Sequence, residues 1–229
     1  MRIAMVLGLL IGVAVEGGRL FGGGALPHPT ARPAVPLPST EAPLLRRIPL
    51  LNPDVLAVDE QTGRVFVGGG EGVGAGHVYM LDAQSGTVLR TVAVGTLPRA
   101  IVVDVLTNRV FVTLTSGQDG YVSTLDARSG SVLRTVQVGG TIAAPALNER
   151  AERVYVLVAS PIDARTGRVT GHAVLAVLDT TGALRRKVTL PDYAGDAGGK
   201  PYGVAVDVRT SRVFVLTDSF VDVYDAARL

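Results

Sequence analysis

The sequence contains no cysteine and no tryptophan, and only 5% of its 229 residues are aromatic. Without a thiol the chain has no disulfide framework, no Cys-ligated zinc site, no iron–sulfur cluster and no thiolate nucleophile. A lipid-anchored N-terminal cysteine is excluded for the same reason. Charged residues are also scarce, at 18%, while 47% of the residues are hydrophobic. This balance argues against an intrinsically disordered chain.

Neither sign of charge dominates the composition. The formal net charge is +2, from 22 basic and 20 acidic residues. All the basic residues except Lys187 and Lys200 are arginines, and they cluster only briefly, at 46–47 and 185–187. Nucleic-acid binding requires a concentrated basic face, usually with aromatic side chains for base stacking. The sequence therefore predicts no nucleic-acid partner.

Valine and glycine are abundant, with 36 Val and 28 Gly residues. The branched Cβ of Val crowds a helical turn but packs well on a pleated strand. Glycine supplies the tight turns that connect short strands. The composition therefore predicts an all-β fold.

The first 25 residues are predicted to be a targeting segment. Met1 and Arg2 give a short positive start, and residues 3–15 form an unbroken apolar run that ends at Glu16. Such a run is typical of a signal-peptide core and is too short to cross about 30 Å of hydrocarbon as a helix. Residues 1–25 are interpreted as a signal peptide or an N-terminal membrane anchor, with a buried core helix as the alternative. The first interpretation predicts an extracytoplasmic protein, either secreted, periplasmic or tethered to the outer face of the membrane.

Residues 26–43 are predicted to be a linker, because they contain six prolines. Proline removes backbone donors and favours extended polyproline geometry, which makes such a segment a semi-rigid spacer.

The rest of the chain, residues 44–229, is a repeat. One phrase occurs four times: AVDEQTGRVFV (57–67), VVDVLTNRVFV (102–112), ALNERAERVYV (146–156) and AVDVRTSRVFV (205–215). A second phrase follows each copy, beginning at residues 78, 122, 175 and 221. Asp104 lies 45 residues after Asp59. A period near this length, built from short strands, is typical of a β-propeller blade.

Each repeat is interpreted as four strands joined by tight turns. An Asp or Asn ends the first strand, and its side chain can stabilise the turn that follows. The fourth repeat stops after its third strand, whereas residues 45–50 align with the fourth strand of the first repeat at 89–94. The sequence predicts about four four-stranded blades, with the strand at 44–50 pairing with the last blade and closing the ring. The alternatives are an open arc, a fragment of a larger propeller, or closure by dimerisation.

The repeat resembles the YVTN-type β-propeller repeats of bacterial and archaeal surface proteins. The resemblance covers residues 44–229 and is carried by RVFVT (109–113), VSTLD (122–126) and VLRTVQVG (132–139), with their counterparts in the other repeats. It implies a propeller fold, which in that family usually has seven blades, and it implies no single activity because propellers carry many functions.

The connections predict where a ligand or partner would bind. The first-to-second and third-to-fourth turns share one side and are nearly constant in length, whereas the other connections vary. Variable loops on a rigid scaffold commonly carry function. The candidate binding residues on the variable side are His77, Arg99, Asp119, Asp163, His172, Asp192, Asp196, Lys200 and Tyr202.

Two further features are given structural interpretations. The glycine-rich residues 68–76 lack a Gly-Lys-Ser/Thr ending and precede no helix, so they are interpreted as a flexible loop rather than a phosphate cradle. The arginines that begin each second strand, at 64, 109, 153 and 212, are expected to pair with turn carboxylates such as Asp59 or Asp104.

The sequence predicts no catalytic residue, metal ligand or cofactor. The three histidines lack metal-ligand spacing, and a quinone-dependent dehydrogenase of this fold would be expected to use Trp. The first hypothesis is an exported, non-enzymatic scaffold that binds a protein, a glycan or a cell-surface component, as a monomer or dimer, and touches the membrane only through its N-terminal segment. The alternatives are a small hydrolase or lyase with calcium or zinc at the axial mouth, and a truncated propeller without activity of its own.

Overall fold

The computed structural model describes residues 44–71, 74–159, 165–166, 171–191, 201–217 and 220–229. The predicted targeting segment and Pro-rich linker lie outside these residues. Within the described ranges, no helix has the length and apolar character that a membrane crossing requires.

The described residues form fifteen strands in four antiparallel sheets. Sheet 1 contains β1 (Pro53–Asp59), β2 (Arg64–Gly70), β3 (Gly76–Asp82) and β4 (Val88–Ala93). Sheet 2 contains β5 (Leu97–Asp104), β6 (Arg109–Ser116), β7 (Asp119–Asp126) and β8 (Val132–Gln137). Sheet 3 contains β9 (Ile142–Asn148), β10 (Arg153–Val158), β11 (Val174–Asp179) and β12 (Leu184–Thr189). Sheet 4 contains β13 (Gly203–Asp207), β14 (Arg212–Leu216) and β15 (Val221–Asp225). Neighbouring strands follow chain order, which confirms the predicted three complete repeats followed by three strands.

The second strand forms the buried centre of each inner sheet, because its sequence is an unbroken apolar run. In sheet 2, Val110, Phe111 and Val112 are fully buried, and β6 pairs with β5 on one side and β7 on the other. Continuous apolar runs are expected where both faces of a strand are covered. Burial of each of these side chains contributes about 1.5–3 kcal/mol.

Consecutive sheets pack face to face through three apolar clusters. Phe66 and Met80 of sheet 1 belong to one cluster with Val112 and Leu125 of sheet 2, and similar clusters join sheet 2 to sheet 3 and sheet 3 to sheet 4. The first strands of consecutive sheets contact each other. The fourth strands β4, β8 and β12 are largely exposed. First strands therefore line the inner side of the stack, and fourth strands form its outer side.

Two opposite surfaces follow from the antiparallel order. The turn face carries the first-to-second and third-to-fourth connections, and the loop rim carries the second-to-third connections and those between sheets. On the turn face, the first-to-second turns are 60–63, 105–108, 149–152 and 208–211, which are equal in length. On the loop rim, β6 and β7 are joined by 117–118 alone, whereas β10 and β11 are joined by 159–173. Constant and variable connections thus lie on opposite surfaces, as predicted.

The four sheets form an open arc, and the predicted closing strand is not found. Residues 44–50 are in no strand, and β15 pairs only with β14 among the described residues. Residues 45–50 lie instead against sheet 1, where Arg46 donates a hydrogen bond to the Ser85 carbonyl oxygen. The open-arc alternative agrees with this arrangement. Because no sheet covers its outer face, β1 is partly exposed along its length.

The interpretation of residues 68–76 as a flexible loop is wrong for four of its nine residues. Gly68–Gly70 complete β2 and Gly76 begins β3, so only 71–75 connect the two strands. A Cβ on Gly69 would collide with the Asn52 carbonyl oxygen, and a Cβ on Gly76 would collide with that of Thr96. Glycine is needed here because other backbone segments approach the strand closely. The glycine content of this segment, which suggests flexibility, is instead required by the close packing of the backbone.

Candidate functional site

The acidic residue that ends the first strand is fully engaged by the turn that follows it. Asp104 is fully buried, and its Oδ1 accepts the N–H groups of Leu106 and Thr107 at 3.0 and 3.2 Å. Its Oδ2 accepts the Thr107 hydroxyl at 2.6 Å. Asp59 and Asp207 accept the same three bonds in sheets 1 and 4. The structural interpretation of these recurring acids is confirmed.

The acidic residue that ends the third strand is engaged in a similar way. Asp82 accepts the N–H and the hydroxyl of Ser85, both at 2.7 Å, and Asp126 accepts those of Ser129, both at 2.8 Å. The hydroxyl and then the N–H of Ser85 hold the pKa of Asp82 below its ordinary value of 3.8. The N–H and then the hydroxyl of Ser129 lower the pKa of Asp126 in the same way, since hydrogen bonds to the charged form favour it. The turn face is therefore assembled from structural carboxylates.

The arginines that begin the second strands find different partners in different sheets, and only some of them follow the expectation of a turn carboxylate. Arg64 donates to the Ala127 carbonyl oxygen of sheet 2 at 2.8 Å, and Arg153 donates to that of Ala226 in sheet 4 at 3.3 Å. Arg109 instead forms a 3.3 Å ion pair with Asp126 in its own sheet. The expected pairing with a local turn carboxylate therefore holds for Arg109. It is wrong for Arg64 and Arg153, whose guanidinium groups reach a backbone carbonyl oxygen of the next sheet.

One open cavity of about 640 Å³ lies on the turn face beside sheet 3. Arg185 lines it and is paired with Asp179. Arg186, also in its wall, donates to the Leu229 carbonyl oxygen at 3.3 Å. The guanidinium groups of the cavity are thus bound to protein partners. Sequence reasoning did not identify this cavity, because its lining residues are distant in the chain.

The loop rim carries a repeated backbone irregularity at the start of the first strands. A register shift leaves one residue of the strand without a cross-strand partner in β1, β5 and β9, namely Asp54, Arg99 and Ala143. Each of these residues stands five positions before the Asp or Asn that ends its strand, and so does Tyr202 in sheet 4. All four are exposed. A bulge redirects the side chain of the extra residue and often occurs beside a binding site.

The bulge row, defined as Asp54, Arg99, Ala143 and Tyr202, brings two sequence candidates to one structural position. Loop location alone predicts Arg99 and Tyr202, and the structure adds that they stand at equivalent positions of the repeat, Arg99 within β5 and Tyr202 directly before β13. Asp54 was not identified from the sequence. The signal that could have found it is its five-residue spacing from Asp59, which matches the spacing of Arg99 from Asp104.

The other described candidates lie on or beside third strands. His77, in β3, stacks on Tyr79 with ring centroids 6.3 Å apart. Its Nδ1 is buried and finds no hydrogen-bond partner among the described residues. Asp119 begins β7 and accepts a 3.1 Å hydrogen bond from the Gln137 amide, and His172 precedes β11. Neighbouring strands are about 4.8 Å apart, so these residues lie two strands away from the bulge row of their own sheet.

The remaining candidates are outside the described residues: Asp163, Asp192, Asp196 and Lys200. Among the residues that the structure does describe, no group of three or more His, Asp or Glu side chains could hold a metal ion. The structure therefore brings Arg99 and Tyr202 to equivalent positions and does not join the described candidates into one polar cluster.

No protein-family model and no curated protein matches the sequence. Solved structures do match the fold. The chain is similar to hydrazine synthase of Kuenenia stuttgartiensis, with a TM-score of 0.61 and 18% identity over 84% of this chain and 50% of that one. It is also similar to the β-propeller domain of Cps50 (Swd1) from Myceliophteria thermophila, with a TM-score of 0.55 and 8% identity over 76% of this chain and 53% of that one.

A third similar structure is the WD40 domain of Neurospora crassa Pan2, with a TM-score of 0.56 and 12% identity over 76% of this chain and 49% of that one. The chain thus spans about half the length of these solved chains. At such low identity the likeness shows the fold alone. The chain has a β-propeller fold, and its resemblance to the YVTN-type repeat family stays a prediction.

Proposed function

We propose that this chain is an exported, non-enzymatic propeller that binds a partner through its loop rim. The observation that carries the proposal is the bulge row. The repeats share nearly the same turns on one surface, yet present an acid, a cation, a methyl group and a phenol at one equivalent, exposed position. A position that served the fold alone would be expected to repeat like the turns do. Variation on a conserved frame is typical of recognition surfaces.

The chemistry of the rim favours a polar macromolecular partner. Asp54 accepts hydrogen bonds, Arg99 donates them in a planar fork, and Tyr202 offers both an apolar ring and a hydroxyl. Asp119 adds a second acidic group on the same surface. Such a set suits a protein surface or a glycan, both of which present donors and acceptors together. Residues 1–25 and 26–43, predicted as a targeting segment and a spacer, support a partner at the cell surface.

Site-specific photocrosslinking tests the proposal. A photoreactive residue is placed at Arg99 on the loop rim or at Gln84 on the turn face, two exposed positions on opposite surfaces. The full chain is then incubated with surface and secreted fractions of the encoding organism. We expect adducts with other proteins from position 99 that unmodified chain competes away, and no adducts with other proteins from position 84. Adducts of equal strength from both positions, or from neither, contradict the proposal.

A further inference from the structure

We propose that two copies of this chain join head to tail into one closed ring, in which residues 45–50 of each copy become the fourth strand of the partner copy's sheet 4. The inference concerns the two ends of the arc and does not depend on the rim binding a ligand. Four observations carry it: one at sheet 1, two at sheet 4 and one that concerns both ends.

The first observation is that residues 45–50 already occupy the place of a fourth strand against sheet 1. Arg90, in β4, donates to the Ser129 carbonyl oxygen of the next sheet at 2.6 Å, and Arg46 makes the same bond to that of Ser85. Between sheets 1 and 2, a Cβ on Gly130 would meet Arg90 and Val92. The equivalent Gly86 would meet Arg46 and Ile48, which align with these two residues. The segment is docked as an outer strand whose own sheet is absent.

The second observation is the edge of sheet 4. In sheets 1, 2 and 3 the third strand is paired on both sides, with the second and fourth strands. Within the described part of the chain, β15 has a strand on one side only. An unpaired edge presents free N–H and C=O groups that can pair with another chain. Among the described residues, the open side of β15 is therefore the place that an outer strand such as residues 45–50 would occupy.

The third observation is apolar surface that equivalent positions elsewhere bury. Leu56 on sheet 1 is 67% exposed, whereas Ile101, its equivalent in sheet 2, is 8% exposed. At the opposite end of the arc, Val221 is 57% exposed, whereas its equivalent Val122 is fully buried. Both faces have the composition of an inter-sheet contact and lack the neighbouring sheet. Complementary faces at the two ends make a head-to-tail contact, and two such contacts related by a twofold axis close a ring.

The fourth observation is an arginine without the acceptor that its repeats use. Arg64 and Arg153 each reach the carbonyl oxygen that follows the third strand of the next sheet. Arg212 stands at the same position in sheet 4 and is exposed, with no further sheet after it among the described residues. In the ring, its acceptor would be the Ala83 carbonyl oxygen of the partner copy.

The partner is a second copy rather than the other end of the same chain. The first strands contact one another in sequence from β1 to β13, but no contact of comparable extent joins β13 back to β1. The chain also covers only 49–53% of the length of the solved chains that it resembles. A second copy would supply four further sheets whose end surfaces match the two ends of this arc.

The oligomeric state of the full chain is the first test. Light scattering is expected to give a dimer of twice the 23.8 kDa mass. Leu56→Asp and Val221→Asp would bury an unpaired carboxylate in the interface and are expected to weaken dimerisation by roughly tenfold or more. The matched control is Leu106→Asp, because Leu106 is equally exposed, at 65%, but lies in a turn of sheet 2. A monomeric parent chain, an open polymer, or equal weakening by the control overturns the proposal.

A crosslink between two different chains is the second test, and the absence of native cysteine makes it clean. The pairing of Val122 with Val136 in sheet 2 places Ile48 opposite Val221 in the ring. A mixture of the Ile48→Cys chain and the Val221→Cys chain is expected to oxidise to a disulfide-linked heterodimer. A mixture of the Leu106→Cys chain and the Val221→Cys chain is the control. Failure to form the heterodimer above the control, or a disulfide within single chains carrying both substitutions, overturns the proposal.

Discussion

The hydroxyl of Thr107 donates a 2.6 Å hydrogen bond to Oδ2 of Asp104, in a turn that the chain repeats in other sheets. The carboxylate is fully buried and accepts two backbone N–H groups through its other oxygen. A side chain that closes its own turn in this way fixes where one strand ends and the next begins. Both oxygens of the carboxylate are therefore used by the turn itself.

Replacement of this acid is expected to destabilise the fold. Asp104→Ala leaves the three donors of its turn without their acceptor and should lower the free energy of unfolding by about 1–3 kcal/mol. The matched variant Asp207→Ala removes the same bonds from an exposed turn of sheet 4 and should cost less, because water replaces them. Urea unfolding curves provide both values. An equal loss in the two variants would contradict the role of burial.

Acid is expected to destabilise the protein through the third-strand turns. The pKa values of Asp82 and Asp126 are lowered in the folded state, so the unfolded chain takes up these protons first as pH falls. The stabilisation is complete above the unfolded pKa near 3.8 and is lost as pH falls through the lower folded values. Ser85→Ala combined with Ser129→Ala should reduce this acid sensitivity. Thermal melting between pH 7 and pH 3 measures it, and an unchanged pH profile would contradict the cause.

A methyl group at Gly76 is expected to disrupt the start of β3. The added Cβ of Gly76→Ala would meet the Thr96 backbone, which cannot move as a flexible side chain can. A loss of about 1–3 kcal/mol is expected. The control is Gly63→Asn, since Asn108 holds the equivalent left-handed position at φ 55°, and this change should be nearly neutral. The denaturant midpoints of the two variants measure these effects. An unchanged midpoint for Gly76→Ala would contradict the prediction, because it would show that the Thr96 backbone can move away from the added methyl group.

The bulge row is expected to matter for binding and not for folding. Arg99→Ala combined with Tyr202→Ala removes two exposed side chains and should change stability by no more than about 0.5 kcal/mol for each exposed position. Capture of the rim's partner should fall by about tenfold or more if these residues anchor it. A turn-face variant, Gln84→Ala, serves as the control for capture. Undiminished capture by the double variant would remove the bulge row from the proposed site.

The sequence predicted the parts of the fold that local chemistry determines. The repeated Asp positions mark the ends of strands such as β5 and β7 because each acid is bonded within its own turn. The buried second strands follow from their apolar runs. Whether the ring closes could not be predicted from the sequence. Closure depends on the angle between consecutive sheets, and no short segment encodes that angle. The sheets at the ends of the arc have the same repeated sequence phrases as the sheets in the middle. The repeat pattern therefore could not predict that the end sheets are more exposed.

The candidate site was predictable in its location and not in its detail. Loop length variation indicated the correct surface for Arg99 and Tyr202. It missed Asp54, since a bulge is visible only in the register of paired strands. The glycines at 68–70 were misinterpreted because glycine fits both a mobile loop and a crowded strand, and only the neighbouring backbone distinguishes the two. The partners of Arg64 and Arg153 were not predicted because they are backbone carbonyl oxygens of the next sheet.

The two terminal sheets of an open arc can unfold before the sheets between them. In the open form, sheets 2 and 3 are covered on both sides, whereas sheets 1 and 4 each have one neighbour. Stability in such a stack is close to a sum of nearest-neighbour contacts, so loss of a terminal sheet costs only one of them. Amide hydrogens in β1 and β15 should therefore exchange with solvent well before those in β6 and β10. The closed assembly should then unfold in one cooperative transition, whereas the isolated chain should unfold stepwise from its terminal sheets.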